Sequence, residues 1–255
     1  MLRVLIFALL LIMAIIAVYG LSGPKKIIQP APLIARVIPT FLPTSVPIFS
    51  PSPTPSPKPT LKPILSDVPF TVQAPFANWK DPRQQDACEE AAVLMVMHWV
   101  KNEPILNQQA ALDEILKLSY YQEETYGVYH DTSAKDTADR LIKGYYKYSN
   151  YEVKDLSDSD QIISALNHGG IVIVPTNGQA LGNPNFTQPG PERHMLVIKS
   201  YVSNSGQFIT NDPGISQGQN WSYNKDILYK AIRDYPTGDH LPIVGMEKRM
   251  IVVKK

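Results

Sequence analysis

Cys88 is the only cysteine among the 255 residues of the chain. A single thiol excludes an intrachain disulfide and a multi-cysteine zinc site. Two roles remain for it, an inert buried side chain or a nucleophile. A thiol nucleophile needs a base to take its proton, a group to orient that base, and donors for the oxyanion that develops on the carbonyl under attack. His194 opens the apolar run His194-Met195-Leu196-Val197-Ile198 and follows a Gly/Pro/Asn-rich stretch over 176–193, so its ring can face a cleft. Asp212 follows the next apolar run and begins Asp212-Pro213-Gly214. Each residue alone has an ordinary explanation: a small core hydrophobe, a structural histidine, a turn. Together they can form a Cys-His-Asp relay, with Cys88 attacking, His194 moving the proton and Asp212 fixing the imidazole.

The relay places demands on the elements around it. After Glu89-Glu90, residues 91–97 are apolar on every side, which predicts a central buried helix over 88–100. Asp86 is suited to cap it, with Glu89 completing a capping box, and Cys88 then lies in the first turn. Positive potential and free N–H groups there favour a thiolate, while the two adjacent glutamates oppose it. His194 and Asp212 must share one face of a hairpin. A turn centred on Ser203 puts them opposite each other; a tighter turn at Asn204-Ser205 pairs Asp212 with Val197 and sends His194 to the other face.

Further expectations are an edge strand over 67–73 and helices over 107–118, 134–146, 159–167 and 225–233. Strands are expected over 151–154, 171–174 (ended by Pro175) and 250–253. Residues 119–131, rich in Tyr and Glu, show no assignable pattern. Helices come first and antiparallel strands later, which is α+β. His98 reads as structural, and His130, Asp131 and His240 lack metal-ligand spacing.

Ahead of this domain, residues 4–21 carry no charge and would span ~27 Å as a helix, about one bilayer core. Residues 1–23 therefore read as a membrane anchor, or as a signal segment whose cleavage would release a secreted protein. Residues 24–63 hold 12 of the 23 prolines and read as a disordered Pro/Ser/Thr linker. Residues 64–255 form the catalytic domain, expected outside the cell membrane and monomeric. The net charge of +1 argues against nucleic acid as a partner.

Four blocks carry a family resemblance: Val68-Pro69-Phe70-Thr71-Val72-Gln73, Asp86-Ala87-Cys88-Glu89-Glu90-Ala91, Arg193-His194-Met195-Leu196-Val197-Ile198 and Ile209-Thr210-Asn211-Asp212-Pro213. In this order they resemble the bacteriocin-processing-peptidase-like cysteine peptidases, papain-fold relatives of the double-glycine leader peptidases. The resemblance covers about residues 66–215. It implies a papain-like α+β fold, a peptide or protein substrate and no cofactor, with Cys88 as nucleophile, His194 as base and Asp212 as orienter. It also implies an upstream glutamine for the oxyanion, for which Gln73 is favoured by its Val-Pro-aromatic context, with Gln84 and Gln85 as rivals. Leader-peptide cleavage does not carry over, since no transporter accompanies the domain. Two other readings share these residues: a catalytically silent binding module of the same fold, and an acyl transferase or crosslinking enzyme.

Overall fold

The computed structural model describes residues 66–255. The anchor and linker assigned to residues 1–63 lie outside the described residues. No helix among the described residues is long and apolar enough to cross a membrane.

Helices dominate the first half. A short α1 (Pro82–Gln85) leads into α2 (Cys88–Lys101), followed by α3 (Gln108–Tyr126) and α4 (Ala134–Asp136), which continues as a π-helical segment, Thr137–Tyr145. The second half holds β1 (Tyr151–Asp155), α5 (Asp160–Asn167), β2 (Ile171–Thr176), α6 (Gly178–Leu181) and β3 (His194–Val202). It ends with β4 (Gln207–Asn211), β5 (Gln219–Asn224), α7 (Lys225–Ala231) and β6 (Arg249–Val253). The strands form one sheet in the order β1-β6-β2-β3-β4-β5, antiparallel throughout. The architecture is the expected mix of a helical part and an antiparallel sheet.

Strand periodicity divides the core in two. Ile171, Ile173, Met195, Val197, Ile251 and Val253 pack with the helices α2, α3 and α4 on one face. Their alternating neighbours Val172, Val174, Leu196, Ile198, Met250 and Val252 pack with Ile162, Leu228 and Ile232 on the other. With both faces covered, β2 can be apolar at every position from Ile171 to Val174, as its sequence reads. Helix α2 is buried from Cys88 to Met97, which the all-round apolar composition anticipated.

Several local expectations need correction. The Asp86 side chain does not cap α2; Ala87 precedes the helix with no side-chain cap bond, and the Asp86 backbone N–H closes α1 through Pro82. Residues 67–73 form no ladder, although the Asn211 amide donates to the Val68 and Pro69 carbonyls at 3.1 Å and ties the segment to the end of β4. Helix α3 does start at its Asn107 cap, whose side chain accepts from Ala110 N–H at 2.9 Å, but it runs to Tyr126 through residues whose pattern was unreadable. Pro175 lies inside β2 rather than ending it. Strand β5 had no expectation.

Candidate active site

The hairpin β3–β4 places His194 and Asp212, and it does so by neither of the two regular registers expected from the sequence. At the turn Val202 pairs with Gln207 and Ser200 with Ile209, the register that would turn His194 away. A β-bulge then intervenes: Ile198 pairs with Thr210 and Val197 with Asn211, leaving Lys199 as the surplus residue. The extra residue reverses the parity of the rest of β3. Asp212, one beyond Asn211, falls on the face of Leu196 and His194.

The two side chains meet there. His194 Nε2 lies 2.7 Å from Asp212 Oδ1, with both residues buried. Asp212 also accepts from the Gly214 N–H at 3.0 Å and, on its other oxygen, from the Tyr223 hydroxyl at 2.6 Å. Tyr223 is fixed in turn by the Asn183 amide at 2.6 Å. Burial works against the Asp212 charge, but His194, Tyr223 and Gly214 together outweigh it and hold the carboxyl below its ordinary pKa. Burial and the charge of Asp212 push the Tyr223 hydroxyl up, so Tyr223 remains a donor. As an anionic acceptor, Asp212 assigns the proton of the pair to Nε2 and leaves Nδ1 of a neutral His194 as the basic atom.

Two glycines allow this packing. A Cβ on Gly218 would stand 1.8 Å from the Asp212 carbonyl oxygen, and one on Gly214 would stand 2.8 Å from His194 Cε1. The Phe186 ring covers the imidazole edge-on, 5.3 Å between centroids. Gly214→Ala is therefore expected to displace the imidazole. A drop of about tenfold in kcat, at unchanged thermal stability, would mark a positional effect, since small displacements at a reacting centre are costly.

Cys88 begins α2 and lines the same cleft as His194, a depression of about 1340 Å³. Among the described residues no hydrogen bond joins its thiol to the imidazole. The thiol donates to Glu89 Oε2 at 3.0 Å. Burial, with the adjacent Glu89 charge, holds the thiol well above its ordinary pKa, so Cys88 is a protonated thiol in this state. Glu89 is itself pushed up to about 7, by burial and then by the charge of Asp131. Glu90 is raised well above the usual carboxyl range by burial, and accepts from the Gln122 amide at 2.7 Å. Neither glutamate faces solvent, as an ordinary first-turn helix acid would.

Gln73 reaches the cleft because its N–H bonds the Pro213 carbonyl at 2.9 Å, beside Asp212. Its amide nitrogen donates to the carbonyls of Gln84 at 3.1 Å and Gln85 at 2.7 Å, and so closes α1. Its Oε1 is buried without a partner among the described residues. Of the rivals, Gln84 is buried with its amide toward Asp81, and Gln85 is exposed on the cleft. His98 is tied to the Pro104 carbonyl at 3.2 Å, a structural contact.

One group in the cleft was missed. Asp131 accepts from His240 Nδ1 at 2.8 Å and lies 3.3 Å from Arg193 Nε. Asp131 and His240 both have positive φ, 31° and 46°, which an L residue adopts only when its surroundings hold it there. The residues are 109 positions apart, beyond any local spacing rule. Among the described residues no three His, Cys, Asp or Glu are arranged to hold a metal ion. Tyr223, Asn183 and Gly214 were missed as well; only the glycine after Asp-Pro gave a local signal.

The model of the Peptidase_C39 like family matches residues 65–236. A solved structure from Bacillus anthracis, assigned as a C39-like peptidase, superposes with a TM-score of 0.47 at 15% identity, covering 75% of this chain and 96% of that chain. No curated protein matches the chain.

Proposed function

Because this chain belongs to the Peptidase_C39 like family, we propose that it is a thiol-dependent hydrolase of peptide or amide bonds, with Cys88 as nucleophile, His194 as general base and acid, and Asp212 as orienter. The observation that carries this reading is the buried 2.7 Å His194–Asp212 pair in the cleft that also holds Cys88 at a helix start. The thiol proton passes to His194 Nδ1, and the thiolate attacks the carbonyl carbon. Collapse of the tetrahedral adduct sends the proton from His194 to the leaving amine and leaves a thioester on Cys88. Water, deprotonated by His194, then releases the acid. The backbone N–H of Cys88 meets the oxyanion. Gln73 joins it by exchanging one of its two carbonyl partners for the substrate.

The reading extends to location on sequence grounds. The uncharged run 4–21 and the proline-rich stretch 24–63 support a domain tethered outside the cell membrane and acting on peptide or protein substrates. A second reading, a silent binding module, is favoured by one observation, the thiol held by Glu89 instead of His194.

Iodoacetamide labelling separates the two. The enzyme reading expects Cys88 of the native full-length chain to alkylate measurably at neutral pH, since a thiol released from Glu89 can pass its proton to His194, and to alkylate more slowly after His194→Ala. A thiol that stays inert until the protein is denatured would leave only the binding module.

A further inference from the structure

Glu89 is a buried ionisable group that the relay does not use. It directly follows the nucleophile and is 2% exposed. One oxygen accepts the Cys88 thiol at 3.0 Å. The other accepts the Tyr235 hydroxyl at 2.7 Å and the Thr132 N–H at 3.2 Å. Those donors come from segments 146 and 43 positions away, so the tertiary fold holds the carboxyl against the sulfur.

We infer that Glu89 is a positioning residue that parks Cys88 in the substrate-free protein, keeping the thiol protonated and its hydrogen committed away from His194. This role rests on the reading of Cys88 as the nucleophile and adds a resting state to it. A carboxylate accepting S–H favours the thiol over the thiolate, because ionising the sulfur both breaks the bond and sets two negative charges side by side. Substrate entry must break this contact before the sulfur can use His194.

The groups around Glu89 set when it is charged. Glu90 on the same helix has its carboxyl raised well above the ordinary value by burial and by the charge of Glu89. Asp86 precedes the helix, with its own carboxyl raised by burial. Asp131 faces Glu89 from the loop after α3, bound to Arg193 and His240. Tyr235, from the segment after α7, is a permanent donor because burial raises its hydroxyl well above the ordinary value. Together they bring Glu89 to ionise at about 7.

The coupling has a measurable shape. Below that pH Glu89 is neutral and the thiol ionises more readily; above it the charge suppresses the thiolate. A plot of log alkylation rate against pH for the full-length chain in mild detergent should show two rising limbs joined by a shoulder near 7. Glu89→Gln removes the charge and turns an amide N–H toward the sulfur. It is expected to erase the shoulder and speed alkylation at alkaline pH by about tenfold or more, the equivalent of one pKa unit. An unchanged shoulder, or slower alkylation, overturns the assignment.

Should Glu89→Gln fail to fold, Tyr235→Phe gives the same answer. Loss of a donor that favours the carboxylate moves the shoulder to higher pH, and a shoulder that does not move overturns the role. Cys88→Ala tests the underlying reading separately. Hydrolysis that survives it removes Cys88 as nucleophile, while the alkylation profile of the parent chain still reports whether Glu89 holds the thiol.

Discussion

A chain carrying His194→Ala is expected to hydrolyse peptide bonds about 10²–10⁴-fold more slowly than the parent, the usual contribution of a positioned acid–base group. The loss should fall on kcat, because in the proposed mechanism His194 moves protons at the reacting bond and does not bind the rest of the substrate. The reasoning depends on the buried state of the sulfur. Cys88 carries its proton at neutral pH, since burial and Glu89 both oppose the thiolate. Without an imidazole to take that proton no nucleophile forms, and the helix end cannot replace the base. Asp212→Asn should reproduce much of the effect by a different route. Asp212 dictates which ring nitrogen carries the proton, and an amide that presents its N–H to the ring would stabilise the wrong tautomer. The check is the rate of amine release from a peptide mixture, measured on folded variants. A His194→Ala chain as fast as the parent would remove the relay.

The second large effect concerns stability. Glu89 has a folded pKa of about 7 against an ordinary 4.5. A raised folded pKa means that the folded state holds the proton more tightly. Its stabilising contribution is complete below pH 4.5, declines as the pH rises, and is gone above about 7. The difference of roughly two and a half pKa units corresponds to about 3 kcal/mol. For a domain of this size that is ~6–12 °C in Tm. Asp212 works in the opposite sense: its lowered pKa stabilises the fold above the ordinary carboxyl value of 3.8 and fails only in stronger acid. Thermal melts should therefore be highest near pH 4–5, fall between about 4.5 and 7, where folded Glu89 keeps a proton that the unfolded chain has lost, and level off above that. Glu89→Gln should flatten that decline. A parent Tm that holds level from pH 5 to 8 would show that burying this carboxylate carries no cost.

Much of the fold could be read from local pattern. The all-apolar stretches around 91–97 and 171–174 announced the central helix and a strand covered on both faces, because burial on every side leaves no polar stripe. Caps such as Asn107 were legible for the same reason: one side chain and one nearby N–H decide them. What failed was whatever depends on a partner distant in sequence. The Ser119–Tyr126 part of α3 is held by tertiary contacts such as Gln122 with Glu90, so its own composition says little. Asp86 looked like a cap because nothing local showed that Glu89 was claimed by Tyr235. The case of His194 is the most instructive. Regular strand alternation, counted from the true turn, puts it on the wrong face, and the bulge at Lys199 corrects the count. Bulges have no dependable local signature, so the relay could be proposed from residue types while its geometry could not.

The position of β6 has a consequence for when the domain can work. It follows the other elements among the described residues, yet it lies inside the sheet, between β1 and β2. As a ribosome extends the chain, Cys88 emerges early, followed by His194, Asp212 and Tyr235. Until 249–253 appear, β1 has no neighbour and β2 presents an open edge. The helices over Ile251 and Val253 also lack part of the surface they pack against. The sheet therefore closes only when 249–253 enter it, after the residues of the proposed relay are already in the chain.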